Sequence, residues 1–427
     1  MLFMFLSLCG AISLVAYHLF STSPWGQGIR HLQQTSPISS WVIAWSVFLL
    51  VCTSAGLNRR WERVKASYVA VFSVGMAIMF YYVRSNMLNS DGFGFAEKFG
   101  IDIPIRGAHV THDEILELFL HSRFYFYANY FLNWSVIRSY QVLSCLAGFL
   151  FSLCLFQFCR RNVPFGLWAA VLVMSSGFMQ LYFGDVENYS YVTLFLLLYW
   201  ITGVEFLKNK ERSLALPCFM WSVGVMFHLL AGFYGLSLLA LFWEGIRRRN
   251  VRDLIFSAVV LVAVPSLVLL YFHYHGLPFS LLFSNSHAFA QGGSHARYLS
   301  IFNEGLAYYA ELAVMFLILA PMTLWIPIVV KEYRRFDVLD MFMGLSVVCG
   351  LAFVTLWRAQ LGILQDWNLF AHAAIPLSLW IVIRFPYERY LGSGWNLRYL
   401  VTCALCILQV VLGFTWILFN HYGRAPL

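Results

Sequence analysis

Eleven apolar runs, each close to the length of one membrane crossing, recur along this chain with short polar loops between them. They fall at about 1–20, 41–57, 67–83, 141–159, 164–184, 190–207, 254–276, 310–330, 341–357, 367–384 and 401–420. A helix of about 20 residues crosses the roughly 30 Å hydrocarbon core of a bilayer. Of the 427 residues, 60% are hydrophobic and 11% charged. A soluble chain carries about 25% charge and needs it to cover its surface. The fold class expected is therefore an all-α polytopic membrane protein. The nine cysteines, Cys145, Cys154, Cys403 and Cys406 among them, lie mostly inside these runs and read as small apolar residues. The first run has neither a basic leader nor a small-residue cleavage pattern, so it reads as a retained helix.

One further run, Leu214 to Trp243, is too long for one span and short for two. Basic residues flank both its ends: Lys208, Lys210 and Arg212 before, Arg247, Arg248, Arg249 and Arg252 after. Cationic loops stay on the cytoplasmic side. The run should thus be a tight helix pair turning near His228–Gly232, which gives about 13 spans with the N-terminus inside. The loops then placed inside hold 19 of the 28 Lys and Arg. The net charge of +8 is accounted for by this bias, so a nucleic-acid partner is not implied.

The polar residues left over gather on the opposite, outer side. The long outer loop 84–140 carries Asp91 and the run His112–Asp113–Glu114. Thr111-x-x-Glu114 is a capping-box pattern that predicts a helix start. On that helix Asp113, Glu117 and His121 share one face and Leu116, Phe119 and Leu120 another, so it should lie in the interface plane. The simpler reading of Glu114 and Glu117 is a helix start and a solvated face. Asp113 is a candidate base toward an acceptor hydroxyl. A second group, Asp185, Glu187, Asn188 and Tyr189, joins two spans with almost no loop, and acids at a membrane boundary are costly unless they meet a partner or substrate. His228 interrupts an apolar run. His295, Arg297 and Arg358 could meet a phosphate. Asp366 and Asn368 precede another span.

This layout resembles the GT-C class of integral membrane glycosyltransferases, which have many spans, an acidic first large outer loop with interface helices, and a polyprenyl-phosphate sugar as donor. Gly184–Asp–Val–Glu–Asn–Tyr–Ser190, Phe227–His228–Leu and Gln365–Asp–Trp–Asn–Leu–Phe–Ala371 look like elements of uncharacterised bacterial GT-C-like proteins. The resemblance covers about residues 67–385. It implies an N-terminal hairpin over 1–66, a catalytic core over 67–385 and a terminal helix over 386–427. It further implies sugar transfer to a lipid or glycan acceptor, with inversion, at the periplasmic face of a bacterial inner membrane. Asp113 or Glu114 would be the base, with Asp91, His112, Asp185, Glu187, Asn188, Tyr189, His228, His295, Arg297, Arg358, Asp366 and Asn368 around the substrates. Here two spans precede the acidic loop rather than one, and Asn368 stands where an acid is common. No metal-ligand spacing such as H-E-x-x-H occurs, so no metal is expected, although Asp and His could hold a divalent ion. Two alternatives stay open: a lipid-pyrophosphate-dependent polymerase or ligase, in which the outer Arg and His would matter most, and a lipid or solute transporter.

Overall fold

The computed structural model describes residues 66–85, 114–274, 304–333, 335–359, 362–391 and 396–422. The candidates Asp91, His112, Asp113, His295 and Arg297 lie outside the described residues, as do the first two expected spans.

Every described element is helical. In chain order they are α1 (Ala66–Tyr82), α2 (Ile115–Leu132), α3 (Val136–Asn162), α4 (Gly166–Met174), α5 (Ser190–Lys208), α6 (Ala215–Phe227), α7 (Gly235–Arg247), α8 (Val251–Tyr274), α9 (Leu306–Leu319), α10 (Ile326–Glu332), α11 (Val338–Leu356), α12 (Trp367–Ala371), α13 (Ala374–Arg384), α14 (Tyr387–Tyr390) and α15 (Leu397–Tyr422). Three 3-10 segments, Gly177–Tyr182, Leu229–Tyr234 and Pro321–Trp325, interrupt the α-helices. Among the described residues, 7 helices are long and apolar enough to cross a membrane, or 8 if the bent pair Leu306–Leu319 and Pro321–Glu332 is one span. The expectation of about 13 is not reached there, and the departures have local causes. The run 164–184 is helical only to Met174 and then tightens into the 3-10 segment. The run 310–330 is bent by 86°, where Pro321 removes a backbone donor and starts a new segment. The run 214–243 is the expected pair, broken at His228.

Local chemistry sets the helix ends. Ser135 caps α3, its side chain accepting from the Arg138 N–H at 3.2 Å. Arg160 and Arg161 sit in the last turn of α3, where a cation suits the helix dipole. Asp337 and Asp340 form a reciprocal capping box at the start of α11. Gly184 has φ +66, and a Cβ there would come within 2.8 Å of the Arg84 Cβ. Only glycine permits both that backbone and that approach.

The 3-10 segment Gly177–Tyr182 is deeply packed, all six of its residues being buried. α3, α9, α12 and α15 pack around it. α15 comes close enough there that a Cβ at Gly413 would strike the Ser175 carbonyl. The C-x-x-C pair Cys403 and Cys406 lies buried on α15. α8 lies at the opposite extreme, with 6% of its apolar window buried. It presents Ile255, Phe256, Val259, Val262, Leu267 and Leu270 outward, as a helix facing lipid would.

The contacts sort the helix ends into two sets. Ser85, at the end of α1, bonds the Phe183 carbonyl through its N–H at 2.6 Å and receives the Gln141 side chain at 3.1 Å. His421, at the end of α15, bonds the Arg84 carbonyl at 2.6 Å. At the other ends, Lys208 bonds the Asn162 carbonyl at 3.1 Å, and Arg248 bonds the carbonyls of Phe206 and Asn209 at 2.8 and 3.1 Å. The expectation from Lys and Arg assigns the first set to the outer side and the second to the inner side, and the two ends are named accordingly below.

Candidate active site at the outer helix ends

α2 starts at Ile115, and Glu114 occupies its N-cap without a side-chain cap bond. The helix start expected here is present, and Thr111, the other half of the expected capping box, lies outside the described residues. The Glu114 carboxylate turns to two other elements. Oε2 accepts from Asn188 Nδ2 at 2.6 Å, and Oε1 lies 3.4 Å from His228 Nε2. The side chains of Glu114 and His228 are 14% and 13% exposed, so the pair is enclosed but reachable.

His228 is fixed from its other side. Its Nδ1 accepts the Leu230 N–H at 3.1 Å, capping the 3-10 segment that follows. A nitrogen that accepts carries no proton, so Nε2 carries it and directs it at Glu114. The Tyr189 ring stacks on the imidazole, centroids 5.3 Å apart at 26°. Asn188 and Tyr189 are held by the tight loop after Gly184. Sequence candidates from α2, the 184–189 loop and the α6 break thus meet at one carboxylate.

Glu117 and His121 correct the sequence reading. Both are buried, at 0% and 2% exposure, so the polar face of α2 turns inward rather than toward water. The half-buried Leu116, Phe119 and Leu120 lie on the other side. His121 stacks on Tyr140 at 3.9 Å, and its Nδ1 bonds the Glu117 carbonyl at 2.9 Å. Burial, with the nearby Glu114 charge, holds the Glu117 carboxyl well above the usual carboxylate range. Burial pushes the His121 imidazole down to about 4, against the pull of that carbonyl bond. Among the described residues neither Glu117 oxygen has a hydrogen bond, although Oε1 lies 3.5 Å from His121 Nδ1.

Asp185, Glu187, Asp366 and Asn368 are buried as well. Asp185 is pushed up to about 7 by burial, opposed by the Asn368 side chain beside it and by the Val186 N–H. Asp366 is the N-cap of α12, and Asn368 lies on that helix. Two residues without an assigned role join them. His372 Nδ1 pairs with the Tyr234 hydroxyl at 2.5 Å across 138 residues. No spacing rule in the sequence links Tyr234 to His372. Arg358 is the candidate the structure places elsewhere: it forms an ion pair with Glu304 at the outer ends of α9 and α11. That neutralises the cation a phosphate would have met. Among the described residues no group of three or more His, Cys, Asp or Glu could hold a metal ion.

No family model matches this chain, and no curated protein matches it. Among solved structures, the crystal structure of ArnT from Cupriavidus metallidurans bound to undecaprenyl phosphate is similar at 13% identity and a TM-score of 0.49. The likeness covers 84% of this chain and 78% of that one. At that distance it says nothing of substrates, and the chemistry of the site rests on the residues above.

Proposed function

We propose that this protein is a membrane glycosyltransferase that moves a sugar from a polyprenyl-phosphate donor to a lipid or glycan acceptor, with Glu114 as the general base. One observation carries the reading: a partly accessible carboxylate held in place from two distant parts of the chain, by Asn188 and by His228. A base needs such fixing because its reach to the reacting proton must be about 3 Å. Glu114 takes the proton of the acceptor hydroxyl as that oxygen attacks the anomeric carbon. The bond from that carbon to the phosphate oxygen breaks, and polyprenyl phosphate leaves with the electron pair. Attack opposite the leaving group inverts the anomeric centre. His228, donating from Nε2, orients the carboxylate. A site at the outer helix ends suits a lipid-linked donor, since nucleotide sugars are not supplied at a periplasmic face.

The test is transfer from labelled polyprenyl-phosphate sugars in membranes, comparing the wild type with Glu114→Gln. Transfer by the wild type and its loss in the variant are expected. An unimpaired variant would remove Glu114 from the role, and no transfer from any such donor would sink the reading.

A carrier is the second reading, favoured by the 3-10 interruptions at 177–182 and 229–234 and the 86° bend after α9. Broken helices often line transport sites. Reconstituted protein that moved a lipid across vesicles without glycosyl transfer would establish it.

A further inference from the structure

At the inner ends the loop between α5 and α6 is clipped to the loop between α7 and α8, and the clips leave several cations over. Arg248, the C-cap of α7, reaches across to the C-terminus of α5. Its guanidinium donates to the carbonyls of Phe206, Leu207 and Asn209 at 2.8, 3.2 and 3.1 Å and pairs with Glu244 at 3.1 Å. Carbonyls at a helix end lack an intrahelical donor, and a cation suits them. Asp253, in the first turn of α8, reaches across in turn. It accepts the Ser213 hydroxyl and, at 2.9 Å, the Leu214 N–H. The two basic loops therefore form one surface. On it Lys208, Lys210, Arg212, Arg249 and Arg252 are exposed. Among the described residues none of these five forms an ion pair. Lys208 bonds the Asn162 carbonyl at 3.1 Å, a neutral partner that leaves its charge uncompensated. Glu211 is exposed among them and is outnumbered. Arg249 holds φ 56, a left-handed backbone that glycine adopts at less cost, so a cation is kept where the turn alone favours none.

Apolar side chains adjoin these cations. Trp243 and Ile246 lie in the last turns of α7, just before Arg249, and are 55% and 58% exposed. Val251 and Ile255, on either side of Arg252, are 63% and 61% exposed and continue the outward apolar side of α8. A soluble polyanion would meet the cations and leave this apolar rim uncovered. A phospholipid meets both, its phosphate on Lys and Arg and its acyl chains along α7 and α8. We infer that the joined loops 208–213 and 247–253 form a binding site for an anionic phospholipid of the adjoining leaflet. Cations scattered along a membrane edge snorkel toward any headgroup. Here Arg248 and Asp253 fix two loops so that their remaining cations serve one headgroup, which makes the site selective. It stands apart from the proposed transfer reaction and does not depend on it.

Titration of the full-length, detergent-solubilised protein with phosphatidylglycerol, phosphatidylcholine or inorganic phosphate tests it, read by native mass spectrometry and by the unfolding midpoint. The wild type should retain phosphatidylglycerol at least tenfold more tightly than phosphatidylcholine, with a raised midpoint, and inorganic phosphate should compete weakly. Lys210→Gln, Arg249→Gln and Arg252→Gln combined should weaken phosphatidylglycerol by at least tenfold, each cation contributing about fivefold. These side chains are exposed and unpaired with any acid, so the variant should unfold like the wild type when no lipid is added. Lys331→Gln with Arg398→Gln, which removes exposed charge from α10 and α15, should change retention by less than twofold. Equal retention of the two lipids by the wild type overturns the site, and this arm needs no variant to fold. An unweakened triple variant overturns it, as does an equal loss in the α10 and α15 variant, which would show bulk charge rather than a site. Full displacement of the lipid by equimolar inorganic phosphate would also overturn it, because the acyl chains would then contribute nothing.

Discussion

Among the described residues, the acids at the two ends of this helical bundle are partnered differently, Glu304 in its pair with Arg358 being the exception at the outer ends. At the inner ends each acid found in an ion pair meets arginine. Arg384 bonds Asp340 through Nε and Nη2 at 2.8 and 2.7 Å and Asp337 at 2.6 Å, while Trp380 adds a bond to Asp340 at 3.1 Å. Arg248 bonds Glu244, and Arg389 meets Glu332. At the outer ends, among the described residues, no Lys or Arg forms an ion pair with Glu114, Glu117 or Asp185. Histidine, amide and buried silence stand in the place of a counter-ion. Complete pairing locks a structure, whereas incomplete pairing keeps a carboxylate able to take a proton or a ligand. The inner cluster reads as architecture and the outer one as chemistry.

That contrast can be broken by experiment. The largest effect should come from Glu114→Gln, which keeps the shape and the Asn188 contact but removes the base. Transfer should fall about 10³-fold, with an unchanged unfolding midpoint in detergent. Arg384→Ala should do the reverse, because it strands Asp340 at 2% exposure. Breaking such a pair costs about 3 kcal/mol, visible as a lowered unfolding midpoint, while the specific activity of the folded fraction holds. If Arg384→Ala instead removed activity without loss of stability, the division of labour between the two ends would be wrong.

A smaller effect separates the two jobs of His228. Asparagine can still accept from the Leu230 N–H but cannot reach Glu114 in the same way. His228→Asn should therefore retain stability and lose about tenfold in transfer, whereas His228→Ala should also lose about 1 kcal/mol as the cap goes. Equal behaviour of the two variants in both assays would deny the orienting role. The smallest effect on transfer belongs to Glu117→Gln, at most about twofold, because burial already disfavours the charged form of that acid and Gln copies its shape. Stability carries the signature instead. The folded state binds the Glu117 proton above the ordinary value of 4.5, where the unfolded chain has released it. Stability contributed by that proton is present at low pH and is lost as pH rises above about 4.5. Unfolding midpoints measured across that range should slope less in Glu117→Gln than in the wild type.

Much of this site was legible before any coordinates. Placing short loops by charge put Glu114, Asn188, Tyr189 and His228 on one side with many other polar candidates, and the structure picked these four out as a cluster; the break at His228 followed from basic residues flanking both ends of a run of awkward length. The inward turn of Glu117 and His121 was not legible. Helical spacing puts them on one face of α2, but it does not say which way that face turns, and beside a membrane the apolar face can look outward. The capping-box pattern pointed to a helix start, and α2 begins at Ile115, but it gave no sign that the Glu114 carboxylate meets Asn188 and His228. Tyr234 and His372 carried no signal, since their pairing depends on how a broken helix packs against α12.

An assignment of sides, then, is what the sequence offers by itself. Hydropathy and cationic loops act residue by residue on where each segment can reside, and their sum survives ignorance of the fold. The tertiary structure alone decided which acids meet an arginine and which meet histidine or amide instead, because pairing depends on distances of a few ångströms between residues far apart in the chain.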